Sequence, residues 1–328
     1  MFIGSREIDD ERIRALLCEY SNAYLAAPII EACRQAGLFE TLSTRYWVSL
    51  PRLVRKHRAN SGYLAVALRL LVSIGWLTRR ADYHYRLTAR AEPEAVANGI
   101  LVLYEQAFDK ILADPHAQAL FSQYLQPLIF PVRDASMHSV TSGALTRSLR
   151  QAPVALPLLM ALCDARGSSL DSKEIVLGRQ LVEPLRSTLQ SFLIEQGWAS
   201  ATGDANAACR LSRSGRLLFG QIDEMLLAVS YRPTLAQIET LLFGDARSMI
   251  RRDGEGEESH IDRSLDLRLI DLQVERYMED IEWQIINVFN NADFARQPRY
   301  IADIGCGDAR YPRRQTPRGL CGGTGISS

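Results

Sequence analysis

The sequence predicts a mainly α protein with small β wings. It has two winged-helix-like modules joined by a helical connector, and after them only the first strand and glycine loop of a Rossmann-like core. Three observations carry this prediction. The order helix, helix, helix, hairpin fills residues 1–90. A second copy of its closing part follows roughly 120 residues later, where Gly197-Trp198, a polar turn and Arg210-Leu211-Ser212 repeat Gly75-Trp76, a polar turn and Arg86-Leu87-Thr88. Near the end, the stretch YIADIGCGDAR from Tyr300 to Arg310 is a short apolar strand breaking into a glycine turn.

Each element has its own signal. From Asp9 to Ala36 the residues Ile13, Leu16, Leu17, Tyr20 and Tyr24 fall at helical spacing, which predicts one long helix closed by Gly37-Leu38-Phe39. A short helix from Pro51 to His57 follows, then one from Ser61 to Ile74 that ends at Gly75, as helices often do. Trp76-Leu77-Thr78 and Tyr83 to Thr88 are β-prone runs around a polar turn. Residues 91–170 read as a helical connector, broken near Pro115, Pro127, Pro131 and Pro153. In the second module, Arg179 to Glu195 carries Leu181, Val182, Leu185, Leu189, Phe192 and Leu193 on one helical face. That module and a helix reaching Phe243 fill residues 171–250. A charged loop from Arg251 to Glu258 marks the next boundary. Val274, Tyr277, Met278, Ile281, Ile285, Val288 and Phe289 then form the strongest helical pattern in the chain, so that residues 251–310 read as a linker helix and the start of a new core.

Composition narrows the function. The 328 residues are 47% hydrophobic and 23% charged, enough to bury sizeable cores. Lys plus Arg equals Asp plus Glu at 38 each, so no net field draws the chain to nucleic acid or to an anionic membrane. The cysteines at 18, 33, 163, 209, 306 and 321 form neither a C-x-x-C pair nor a cysteine–histidine cluster, which argues against structural zinc and a disulfide framework. His57, His84, His116 and His138 have no metal-ligand spacing. No apolar run approaches the roughly twenty residues of a membrane span, and the N-terminus has no signal-peptide core. A reduced, cytoplasmic location is the expectation.

The glycine stretch resembles motif I of class I S-adenosylmethionine-dependent methyltransferases, an acidic residue followed by Gly-x-Gly-x-Gly. Asp303, Gly305 and Gly307 fit it, with Cys306 and Asp308 in the turn, while Ala309 stands at the third glycine position. The resemblance makes Asp303, Gly305, Cys306, Gly307 and Asp308 the cofactor-binding residues and S-adenosylmethionine the cofactor. Residues from about 35 to 310 are similar to the N-terminal lid part of the methyltransferases associated with modular polyketide synthases. The pieces are Gly37-Leu38-Phe39, GYLAVALRLLVSIGWL from Gly62, Ser230-Tyr231-Arg232-Pro233 followed by LLFGD, ESHIDRSLDL from Glu258, and ADFARQPRYIADIGCGD. The resemblance implies methyl transfer to a polyketide or carrier-bound acyl chain, with a polyketide synthase or acyl carrier protein as partner; a homodimer is a further expectation.

A class I core needs further βα units of about thirty residues each. Only residues 308–328, 21 in all, follow Gly307, and 311–328 read as a disordered tail rich in Arg, Gly, Pro, Ser and Thr. The expectation is a chain truncated just after motif I, binding the cofactor weakly or not at all and inactive as given.

The lid candidates are His260, Asp262 and Arg263, weighed against a helix-start cluster capped by Ser259, and Tyr231 beside Pro233, weighed against a buried tyrosine. No nucleophile–base pair is visible, so no catalytic residue is named. Two other functions compete. Winged helices commonly read DNA, but the helix from Ser61 to Ile74 offers Arg69 and is otherwise apolar on nearly every side, which predicts a buried packing element. A non-catalytic docking module for a synthase is the other.

Overall fold

The computed structural model describes residues 3–129, 143–166, 174–176, 181–202, 208–250 and 259–291. It divides into two compact units, residues 1–262 and 263–328. In the first, α1 (Ile3–Gln35) is the central helix, and Ile13, Leu17, Tyr20, Tyr24, Ala27 and Ile30 are all buried, as their spacing requires. Gly37, at φ 68°, turns the chain into α2 (Leu38–Thr41). After these come β1 (Val48–Ser49), α3 (Leu50–His57), α4 (Ser61–Ser73), β2 (Leu77–Arg79) and β3 (His84–Leu87). The strands form one antiparallel sheet in the order β1-β3-β2, with Leu77 opposite Leu87 and Val48 opposite Tyr85. This is a winged-helix arrangement, and the hairpin and helices fall where periodicity predicts them.

The exposed face of α4 departs from the sequence reading. Leu64, Ala67, Leu68 and Leu71 are buried, but Tyr63 and Val66 are exposed, Val66 by 50%, and Arg69 shares their face. The helix packs on one side only, because its module is too small to surround it.

The connector consists of α5 (Leu101–Glu105), α6 (Lys110–Ala113), α7 (Pro115–Ile129) and α8 (Ala144–Arg166). Pro115 opens α7, where a missing N–H costs nothing. Pro127 and Pro153, however, do not break their helices, which run on through them. An interior proline costs about 3 kcal/mol, and α8 offsets it by burial. Leu149, Ala152, Val154, Leu156, Leu158 and Leu162 are nearly inaccessible, and α8 lies along α1.

The second module contains β4 (Glu174–Val176), α9 (Leu185–Glu195), β5 (Ala199–Ala201), β6 (Ala208–Leu211) and α10 (Arg213–Gln221), with sheet order β4-β6-β5. α9 starts at Leu185 rather than near Arg179, because Pro184 takes the cap position. The repeat legible in the sequence is a repeat of hydrogen bonds. At the end of α4 the N–H of Gly75 donates to Val72 and that of Trp76 to Leu71; at the end of α9 Gly197 donates to Ile194 and Trp198 to Leu193. Both are Schellman turns, with glycines at φ 79° and 71°. Thr88 then donates its N–H to Trp76, and Ser212 to Trp198, each at 2.9 Å. Both tryptophans are buried: Trp76 against Phe39, Trp198 against Phe192 and Tyr20.

The first unit closes with three short helices, α11 (Leu226–Ser230), α12 (Arg232–Ala236) and α13 (Ile238–Phe243), the last ending at Phe243, the residue the expected helix reaches. Asn60, at the start of α4, donates its side-chain amide to Leu241 and Gly244 at 2.8 and 2.9 Å, tying the end of α13 to the first module. The second unit contains α14 (Arg263–Asn291), the helix with the strongest pattern; Ile281, Trp283, Ile286 and Val288 are exposed on it. Among the described residues no helix is long and apolar enough to cross a membrane.

Candidate functional site

The motif residues Asp303, Gly305, Cys306, Gly307 and Asp308 lie outside the described residues. The lid candidates are described, and three of them meet. α11 is an apolar run whose Leu226, Ala228, Val229 and Ser230 are buried, and it stops at Tyr231, at φ −77° and ψ 5°. Pro233 sits in the first turn of α12, where no donor is needed. The segment carrying His260 and Asp262 returns onto this break. Asp262 donates its N–H to the carbonyl of Ser230 at 2.7 Å, and Thr234 donates its hydroxyl to the carbonyl of His260 at 2.5 Å. The break between α11 and α12 therefore holds the backbone of the 260–262 segment through one carbonyl that the end of α11 leaves free, that of Ser230, and through the hydroxyl of Thr234.

Side-chain placement reverses one expectation. Tyr231 is 40% exposed and is not the buried tyrosine weighed for it, whereas its neighbour Arg232 is 3% exposed. Arg263 opens α14 and pairs with Asp266 at 2.9 Å one turn on.

Arg232 is what sequence reasoning missed. It lines a cleft of about 450 Å³ together with Tyr104, Gln106, Phe108, Gln237 and Asp262. Its Nη2 donates to the carbonyl of Leu103 at 2.9 Å, while Nε and Nη1 have no hydrogen-bond partner. Among the described residues no carboxylate forms an ion pair with it. Burial pushes its pKa down, opposed by Tyr24, Tyr104, Asp262 and Asp109; an arginine stays charged regardless. The rings of Tyr24 and Tyr104 meet at a tilt of 39° with centroids 4.8 Å apart. Tyr104 donates its hydroxyl to the Tyr24 carbonyl at 2.7 Å, and the Tyr24 hydroxyl is buried without a partner. Burial raises both phenols well above their ordinary range. The available signal was an arginine placed directly after an apolar run and before a proline, where a cation would otherwise be expected in solvent.

A second cleft, of about 800 Å³, opens between the connector and α9, lined by Asn98, Tyr124, Arg147, Arg150, Gln151 and Glu195 among others. None of the sequence candidates lies in it.

Two winged-helix modules on a helical frame define the class of this protein, and comparison with known families gives the class its kin. Residues 13–79 match the AprA N-terminal domain, residues 154–245 the AprA winged helix domain and residues 258–312 the AprA MT2-like domain. In that order the three matches fit the N-terminal and lid region of an AprA-type methyltransferase, and they give the chain a methyltransferase-like role. No curated protein matches the chain.

Proposed function

We propose that residues 1–262 form the lid of an S-adenosylmethionine-dependent methyltransferase acting on a polyketide or carrier-bound acyl chain. On this reading Asp303, Gly305, Cys306, Gly307 and Asp308 begin the cofactor loop. The observation that carries the reading is the MT2-like match over residues 258–312, which takes in the His260–Asp262 segment bonded to Ser230 and Thr234, helix α14 and the glycine motif of the sequence. Bound there, the cofactor supplies a sulfonium methyl group. The lid's part is to orient the substrate nucleophile in line with it and to exclude water. By the resemblance, backbone N–H groups around Gly305 and Gly307 would hold the cofactor's polar end, and Asp303 would be the acidic residue of the motif.

The first strand and turn supply only part of a cofactor site, since ribose and adenine contacts in this architecture come from later strands. Weak binding of S-adenosylhomocysteine by these residues is therefore expected in isothermal titration, and Asp303→Ala should abolish it. The fuller test joins the chain at Arg310 to the remaining strands of an AprA-type core. Micromolar binding and methylation of a carrier-bound acyl thioester are expected. A folded hybrid that binds the cofactor yet methylates no carrier-bound chain would overturn the reading. The DNA-binding alternative finds little in the exposed face of α4, which offers Tyr63 and Val66 with the single cation Arg69. Retention of duplex DNA at about 100 mM salt would reinstate it.

A further inference from the structure

We infer that the outer face of the three-stranded sheet in the first module is a docking surface for an acidic segment of a partner protein. The first ground is a charge imbalance that the neutral total hides. Residues 41–90 carry ten Lys and Arg against one acid, Asp82, and the rest of the chain holds the balancing excess of acid. That acid lies 3.0 Å from the ring nitrogen of His84. Among the described residues no carboxylate forms an ion pair with Arg45, Arg79, Arg80 or Arg86.

The second ground is the strand register, which gathers these cations. Val48 opposes Tyr85 and both are buried, so the adjacent Trp47 and Arg86 turn to the other side of the sheet. Thr78 opposes Arg86, and the N–H of Arg80 donates to the carbonyl of His84 at 2.9 Å, which places Arg80 on that side too. The guanidinium carbons of Arg80 and Arg86 lie 4.2 and 4.7 Å from the centre of the Trp47 ring. Stacking fixes the two planes and leaves their N–H edges for planar acceptors. Two like charges held on one ring repel each other, and an anionic occupant offsets that repulsion. At the tip of the hairpin the guanidinium of Arg79 sits 5.7 Å from the centre of the Tyr83 ring.

The carboxylates of a protein fit this face better than the phosphates of a nucleic acid. Single strands bind by stacking bases on aromatic rings, and the ring of Trp47 already carries two guanidiniums. A duplex would be read through α4, whose exposed face offers Tyr63, Val66 and Arg69. Tyr46 and Tyr83 are more than half exposed beside the arginines, and tyrosine with arginine is the composition of a protein interface. A segment that mixes glutamate or aspartate with apolar residues meets both the cations and the rings, its carboxylates pairing with the guanidinium edges. The assignment stands apart from the methyltransferase reading, because docking is measured without cofactor or methyl transfer.

The test is fluorescence anisotropy of the full chain with a short labelled peptide in which pairs of glutamates alternate with leucine and alanine. Its counterpart with glutamine for every glutamate, and DNA of matched length as single strand and as duplex, are measured beside it. Saturable micromolar binding of the glutamate peptide at low salt is expected, weakening as salt is raised. The glutamine peptide and both DNAs should bind at least about tenfold more weakly. Arg80→Glu should weaken the glutamate peptide about tenfold, and Arg80→Glu combined with Arg86→Glu should remove its binding. Arg186→Glu, the same change of charge in the second module, should leave it unchanged. Because Arg80 is exposed, the single variant tests the face even if the double variant does not fold. Absence of saturable binding of the glutamate peptide by the folded wild-type chain would overturn the proposal. So would equal binding of the glutamine peptide, binding that survives Arg80→Glu or falls equally with Arg186→Glu, or a preference for either DNA, which would make the face a nucleic-acid surface.

Discussion

Ser212 donates its hydroxyl to the carbonyl of Gly197 at 2.7 Å and accepts the N–H of Gly215 at 3.0 Å, so a single side chain caps α10 and pins it to the end of α9. Thr88 makes the corresponding bond to Gly75 at 2.7 Å, and accepts the N–H of Arg90 at 3.2 Å where no regular helix follows. Ser212→Ala loses a helix cap and an interhelical bond, about 2 kcal/mol. Thr88→Ala loses the bond without the cap, about 1 kcal/mol. Urea unfolding of the two variants checks the difference; equal losses would mean that the cap on α10 contributes nothing.

Gly215 is required for a different reason. A Cβ there would overlap the carbonyl oxygen of Trp198, a backbone atom held by its bond from Ser212. Gly215→Ala should cost about 3 kcal/mol, at the upper end of overpacking penalties. Gly220, in the same helix, has nothing within 4 Å of an added Cβ. Gly220→Ala should therefore stabilise by about 0.5–1 kcal/mol. Opposite shifts of the melting temperature from two glycines five residues apart are the expected signature.

These positions also mark what could be read in advance. The Gly-Trp repeat was legible because a Schellman turn demands a residue at positive φ followed by an apolar one, and both demands appear in the letters. Pro127 and Pro153 misled, since the local cost of an interior proline is visible in sequence and the burial that offsets it is not. Arg232 was passed over in favour of Tyr231 for a related reason. Side-chain type predicts the arginine outside and the tyrosine inside, and the break between α11 and α12 turns each the other way. The one-sided packing of α4 escaped because composition reports how apolar a helix is but not how many neighbours surround it.

His57 gives stability a pH dependence. Its Nδ1 lies 2.9 Å from the Ala36 carbonyl and its Nε2 2.9 Å from the Thr41 hydroxyl. Burial lowers its pKa below the ordinary 6.5, with Lys56 acting in the same sense and the Ala36 bond and Glu40 opposing. The unfolded chain thus takes up this proton at a higher pH than the folded one. The contribution is present above 6.5 and is lost as pH falls below it toward the depressed folded value. The melting temperature should fall on acidification from about pH 7 to 5, modestly because the ring is half-buried. His57→Gln should flatten that slope, and an unchanged slope would remove His57 as its source.

Glu31 is the carboxylate on which the entry to the larger cleft is built. It is 1% exposed on α1, yet it accepts from Arg34 Nε at 3.0 Å, Gln35 at 2.7 Å and the N–H of Gly99 at 3.0 Å. Gly99 is held at φ 70°, and the hydroxyl of Tyr124 donates to its carbonyl at 2.9 Å. Arg34 in turn donates to Asn98, which lines the cleft with Tyr124. Glu31→Ala removes the acceptor of Arg34 Nε, Gln35 and the Gly99 N–H, and leaves Arg34 with only Asn98 and the exposed Glu94 among the described residues. The expected cost is about 3–4 kcal/mol, the range for breaking a buried charged pair. Glu31→Gln keeps an acceptor for Gly99 and loses only the charge, so about half that loss is expected. If the two variants unfold at the same urea concentration, the charge on Glu31 carries the whole effect and the bond to Gly99 carries none.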